Sequence, residues 1–419
     1  MVFFSRIFGL GDASQQFAAI DASENVVRAA RFSLTEKGAV RILQSAEAVL
    51  GGILAPERSS AVEAGALKTA IGKALVSLGR ARNYAALVVG FGNGFLRTIT
   101  YQAVFERSAP QEKIDLAELK NFLERTEVES RRDLEKKLEL ENTDHAFTLF
   151  DSKLLGFSLD GYRIADPVGL TGKEFSMTLF NTYAEESHAE FLKDLQKNCG
   201  AKKLLPMSVS YAIWRALGGG GPGETPPVIL IGVGERETCV AVATAESFLG
   251  IRTFAVGGDA FTRRIALHLA LDNAEAERIK KEYRAASLSP ATSRKISQIF
   301  KQDIDLWTRS VCLALEEFGR IVELLPSRFL LFGEDSALPG LKDALQAKDA
   351  FLQLPFLEKP TVFAVAPELF EGLEHETPQR PTTSAETKLY ALACALAREA
   401  RARTEIQRFV RQAAFLANQ

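Results

Sequence analysis

The chain has 419 residues, 47% of them hydrophobic, with 51 basic and 53 acidic side chains and a net charge of −2. That length and apolar fraction predict roughly two to three domains with sizeable cores, and so even a charge balance excludes a global field drawing the protein onto nucleic acid. No apolar run approaches the roughly 18 residues of a membrane span. The cysteines (Cys199, Cys239, Cys312, Cys394) and histidines (His145, His188, His268, His375) are scattered, which argues against disulfides, zinc and other metal sites and for a reducing, cytoplasmic setting.

In chain order, Phe4, Ile7 and Phe8 share a face if the start is helical, either as a segment tucked into the core or as a docking tip for a membrane or partner. Phe17–Asp21, Val26–Leu34 and Val40–Val49 read as three strands, Ala64–Gly79 as a helix, and Ala85–Val89 as a strand buried on both faces. The texture then changes. A strand at Leu96–Phe105 is followed by a highly charged helix at Asp115–Leu140. Strands at Ala146–Phe150 and Leu154–Leu159 come next, and the irregular loop Asp166–Gly172 after them. Strand Phe175–Tyr183 and helix Ala189–Asn198 resume the first pattern.

A glycine- and proline-rich run then leads into Val228–Ile231, a glycine turn, and strands at Cys239–Ala243 and Ile251–Val256 that break at Gly257-Gly258 before a helix. Glycines at such turns let bare backbone approach phosphates, although an ordinary β-meander fits the same pattern. Helices at Ala274–Ala286 and Ser293–Leu325, strand Arg328–Phe332, a turn, helix Leu341–Ala347 and a terminal helix from Ala385 complete the chain. The expected organisation is a first lobe in two parts (1–90 and 167–217), an inserted small domain (91–166), a linker (218–227), a second lobe (228–384) and a C-terminal helix (385–419).

Six segments carry a resemblance. They are Ile20–Arg28 and Leu230-Ile231-Gly232-Val233-Gly234 at the two turns, Asp160–Ile164 with Asp166–Gly172 at the insert exit, Val256–Phe261, Ala274–Lys280, and Phe332–Asp335 with Leu338–Leu341. Each half opens with strand, turn and returning strand and ends with helices on a sheet. The chain resembles the actin-like ATPase superfamily in its FtsA/PilM branch, the actin homologues of bacterial cell division and type IV pilus assembly. The resemblance implies an α/β, ribonuclease-H-like fold of two lobes with a small inserted α+β domain in the first.

It also implies a nucleotide cleft. Asp21, Ser23 and Asn25 fall at the first phosphate loop, Gly232 and Gly234 at the second, and Gly257 and Gly258 after it. Glu277 and Lys280 fall on the adenosine-side helix and Gly333 at the adenosine turn. Three departures stand out: Ser23 in place of a glycine, Leu230 in place of the second loop's acid, and Glu334 in place of the second glycine of the adenosine turn. A magnesium-assisted hydrolysis needs carboxylates around the phosphates, so the expectation is weak or structural ATP binding, doubtful magnesium and no efficient ATPase activity.

The resemblance further implies a cytoplasmic scaffold of the division machinery, linking partners to the inner face of the membrane. The alternatives are a pilus-assembly protein recruiting an inner-membrane partner, and an active ATPase or phosphotransferase. Expected partners are a division-ring tubulin homologue or a pilus inner-membrane protein, with self-association through the inserted domain. Ile406, Phe409 and Val410 lie at helical spacing beside Arg408 and Arg411, an amphipathic face for peripheral membrane or partner contact.

Overall fold

The computed structural model describes residues 15–23, 26–50, 60–79, 84–92, 95–140, 146–220, 225–244, 247–347, 351–370, 372–375 and 384–401. Asn25 and the amphipathic segment holding Ile406, Arg408, Phe409, Val410 and Arg411 lie outside them.

The first lobe is built on a sheet of order β15-β3-β2-β1-β4-β9, with β1 at Phe17–Asp21, β2 at Val26–Leu34, β3 at Val40–Val49, β4 at Ala86–Phe91, β9 at Leu204–Ser208 and β15 at Leu373–His375. The second lobe repeats the plan as β12-β11-β10-β13-β14: β10 at Val228–Val233, β11 at Thr238–Ala243, β12 at Phe248–Phe254, β13 at Arg328–Phe332 and β14 at Thr361–Ala364. In each, an antiparallel hairpin is extended by a parallel strand on its other side: β1 pairs with β2 and β4 as β10 pairs with β11 and β13. The apolar run of β4 reflects burial on both faces, since all six of its residues are buried.

The period of two along a strand sorts the cores. Ala18 and Ile20 of β1 face α1 (Ser60–Ser77) and α3 (Glu186–Cys199), whereas Phe17 and Ala19 face a central layer. That layer is made by α4 (Val209–Ala216) and α9 (Ser384–Arg401) and is shared with Val228 and Leu230 of the second sheet. The far face of the second sheet packs on α5 (Gly258–Leu269), α6 (Asn273–Arg284), α7 (Pro290–Gly319) and α8 (Leu341–Gln346). Caps begin two of these helices. Asp272 accepts from the Glu275 amide, and Ser289, just before Pro290, accepts from the Thr292 amide.

The inserted unit is a four-stranded antiparallel sheet, β5-β8-β6-β7, backed by α2 (Leu116–Leu140). Its strands are β5 at Leu96–Glu106, β6 at Phe147–Leu159, β7 at Tyr162–Ile164 and β8 at Glu174–Glu185. Its own core stacks Phe122 between Phe105 and Phe175, with ring centroids 4.8 Å apart on each side. A boundary at 166 cuts this sheet, because β8 pairs with β5 and β6 along its whole length. The unit is also rooted in the main cores: Phe180 packs in the central layer, Leu96 and Ala184 pack beneath the first sheet, and the Thr100 hydroxyl donates to the Phe248 carbonyl of β12.

Two further expectations change. Residues 373–375 belong to the first lobe, since β15 pairs parallel to β3. The described part of the terminal helix, expected as a separate C-terminal element after the second lobe, closes the first lobe's core as α9, packing on α4, β1, β2 and β4.

Candidate functional site

The two hairpin tips meet across a cleft with a cavity of about 260 Å³, lined by Ser23, Gly92, Ser208, Ser210, Gly232, Gly234–Glu237, Gly333 and Lys388, with Phe91, Phe95 and His188 forming an aromatic wall. Phe95 stacks on Phe91 at 4.2 Å and on His188 at 3.9 Å. The structure brings Asp21, Ser23, Gly232, Gly234, Gly257, Gly258, Glu277, Lys280 and Gly333 to this cleft and its rim.

Asp21 ends β1 at a position that turns its carboxylate into the central layer, where it is fully buried. Its Oδ1 accepts from the Ser23 hydroxyl at 2.6 Å and the Ser23 amide at 3.1 Å. Its Oδ2 lies 3.1 Å from Nζ of Lys388, which stands on α9 with a side chain only 2% exposed. The Lys388 ammonium donates to the Ser23 hydroxyl at 2.9 Å and forms an ion pair with Oδ2.

The second hairpin carries no acid at either place where one could stand. Leu230 is fully buried in the middle of β10, opposite Ala241 and Leu330. Asp21 sits opposite Arg28 with six residues between, and the residue with the same place in the second hairpin is Gly232, opposite Cys239. No acid fits there: a Cβ on Gly232 would lie 2.4 Å from the Phe332 ring and 2.7 Å from Cys239 Sγ.

The backbone donors near the tips are engaged within the chain. The Gly234 amide donates to the Glu237 carbonyl, closing a tight hairpin. The first amides of α5, Gly258 and Asp259, donate to the Gly234 and Glu235 carbonyls at 2.9 and 2.7 Å. Gly257 is required by this approach, since a Cβ would stand 2.6 Å from both carbonyls. At the opposite strand tip Gly333 has φ of 94°, and its absent Cβ makes room for the Val233 carbonyl.

Side chains fill the adenosine side. Lys280 is buried between Glu277 at 2.9 Å and Asp335 at 3.2 Å, and Glu277 also accepts from the Thr262 hydroxyl. Asp335 abuts Gly258 and pairs with Arg284 at 3.0 Å. Glu334 reaches across the cleft to Arg28 of β2 at 2.5 Å, while Arg28 also lies 3.8 Å from Glu47.

Burial drives the titration of these groups. It raises the Glu235 carboxyl to about 7, with help from Asp259 and against Arg236 and Lys280. It raises Asp335 against Lys280 and Arg284. At Glu334 burial is outweighed by Arg28, then Arg284 and Lys388, which hold the carboxyl below its usual range.

These residues do not fit a magnesium–nucleotide. One acid is neutralised by Lys388, the second hairpin carries no acid at Leu230 or Gly232, and the Gly234, Gly258 and Asp259 amides are engaged by carbonyls of the chain. Among the described residues there is no cluster of three histidine, cysteine or acidic side chains able to hold a metal. No described helix is long and apolar enough to cross a membrane. Lys388 escapes a reading by motif, and for Arg28, Phe332 and Asp335 the motif gives the place but not the partner, which lies far away in sequence.

Residues 229–393 match the family model of the cell division protein FtsA. No curated protein sequence matches the chain. Among solved structures it is similar to a type IV pilus biogenesis PilM–PilN complex, with 17% identity, a TM-score of 0.60, and 91% of this chain and 98% of that chain covered. It is also similar to MreB 5 of Spiroplasma citri bound to AMPPNP, with 11% identity, a TM-score of 0.47, and 94% and 98% covered. The chain thus has the actin-like ATPase fold, and within that fold it is similar to the FtsA/PilM branch.

Proposed function

We propose that this chain is an actin-like scaffold that recruits partner proteins at the cytoplasmic face of the membrane and does not turn over ATP at a useful rate. The observation that carries this reading is the Lys388–Asp21 ion pair, which places the chain's own cation against the acid at the end of β1. A hydrolytic site needs that acid free to orient metal and water.

A pilus-assembly role is the reading best supported, because the similarity to PilM in its complex with PilN runs through nearly all of both chains. A division role is the second reading, supported by the FtsA match over 229–393. Nucleotide, where it binds, does so weakly and without magnesium chemistry.

Two measurements test this. Co-purification of the full chain with a PilN-type membrane protein, and with a division-ring tubulin homologue, separates the two roles, and capture of neither refutes the scaffold reading. Calorimetry with ATP and phosphate release followed over hours should show weak binding and no turnover. Turnover abolished by Asp21→Ala would refute the inactive cleft.

A further inference from the structure

The chain crosses between lobes around 217–227 and 365–372, and the two sheets share the central layer at their base, so above that layer the setting of the lobes depends on what spans the cleft. The Arg28–Glu334 pair at 2.5 Å does so in place of a ligand, joining β2 of the first lobe to the turn after β13 of the second, with side chains 10% and 29% exposed. Within the second lobe, carbonyls of the β10–β11 tip cap the start of α5 and occupy donors a phosphate would otherwise meet, and within the first lobe Lys388 neutralises Asp21.

We propose that this cleft is closed from within. Lys388 is its resident cation, and the Arg28–Glu334 pair is a staple that sets the two lobes without nucleotide or metal. The chain therefore holds its partner-presenting shape constitutively, and the control point is the staple, not a bound phosphate. Arg28 is held on its own lobe by Glu47 and Glu334 on its own lobe by Arg284, so each end is oriented before the pair forms. The inference concerns closure alone and does not depend on which partner is recruited.

The test is a double-mutant cycle on the full chain with Arg28→Met, Glu334→Gln and the double variant, read by small-angle scattering and by amide exchange at Ser23 and Gly333–Ser336. The wild type should show a radius of gyration near 22 Å, about that of a compact chain of this length, unchanged by EDTA or by ATP with magnesium. Each single variant should raise exchange at these amides about tenfold and enlarge the radius by roughly 1–2 Å. The double variant should do no more than the stronger single. Circular dichroism verifies folding, and Arg28→Lys, which keeps the charge, should stay near wild type. Unchanged exchange in both single variants, additive effects, or compaction of the wild type on adding ATP with magnesium would overturn the proposal.

Discussion

Replacing Lys388 with methionine keeps the length of the side chain and removes its charge, leaving Asp21 buried with one oxygen facing apolar neighbours. Breaking a buried pair from one side costs about 3–5 kcal/mol. Here Ser23 still donates twice to Oδ1, so the lower end, about 3 kcal/mol, applies. A cooperative unit of roughly 250 residues unfolds with an entropy near 0.5 kcal/mol/K, so the transition temperature should fall by about 6 °C. Differential scanning calorimetry is the assay, read on the transition that Lys388→Met moves, since the lobes need not melt together. The companion variant, Asp21→Asn with Lys388→Met, removes both charges and should recover most of the loss, to within about 2 °C of wild type. If Lys388→Met is neutral, or the double variant melts no higher than Lys388→Met alone, the ion pair is not what the geometry says.

Gly232→Asp should fail to restore a metal site and should lower soluble yield, because the new side chain overlaps the Phe332 ring; Leu230→Asp should do so more severely, placing a carboxylate in a dry core at a cost of several kcal/mol. Glu235 titrates near 7 in the folded chain, above its unfolded value, so stability falls as pH rises from about 4.5 to 7 and the cost is complete above that. Glu235→Gln should therefore raise the melting temperature at pH 8 and have little effect at pH 5; an equal gain at both would refute the assignment. Phe122→Ala removes the ring stacked between Phe105 and Phe175 and should cost about 3–5 kcal/mol, with faster amide exchange confined to the inserted unit. Excising 91–166 should leave an insoluble chain, because β8 loses both strand partners; a folded, monodisperse product would contradict the rooting of the insert in the main cores.

The strands of both lobes were legible because their alternation and apolar runs reflect burial that the chain shows locally, as in Ala86–Phe91 and Val228–Val233. The gathering of Asp21, Gly232 and Gly257-Gly258 at one cleft was legible from the duplicated plan. What the sequence hid was register and filling. The motif puts the missing acid at Leu230, and the pairing of Gly232 with Cys239 adds a second candidate place two residues along. Lys388 opens a long apolar run on a helix and looks like an ordinary amphipathic border. Its meaning depends on Asp21, which is joined to it by packing and not by any local pattern. The return of β15 and α9 to the first lobe was hidden for the same reason: long-range pairing leaves no trace in a window of ten residues.

That return has a consequence for how the chain is made. The first lobe is not a continuous piece: its sheet takes β15 from residues 373–375, and one face of its core is supplied by Leu389–Ala397. A ribosome reaching the end of α4 at Ala216 still has to synthesise the second lobe and α9, roughly 10–40 s of further translation at ordinary rates. Throughout that interval Phe17, Ala19, Ala30 and Phe32 lack the α9 side of their core, whereas the strands of the second sheet are contiguous from β10 to β14 and its outer face has all its helices. Maturation thus runs against the direction of synthesis, with the amino-terminal half sealed last by the carboxy-terminal helix. The same stroke that completes its core carries Lys388 to Asp21.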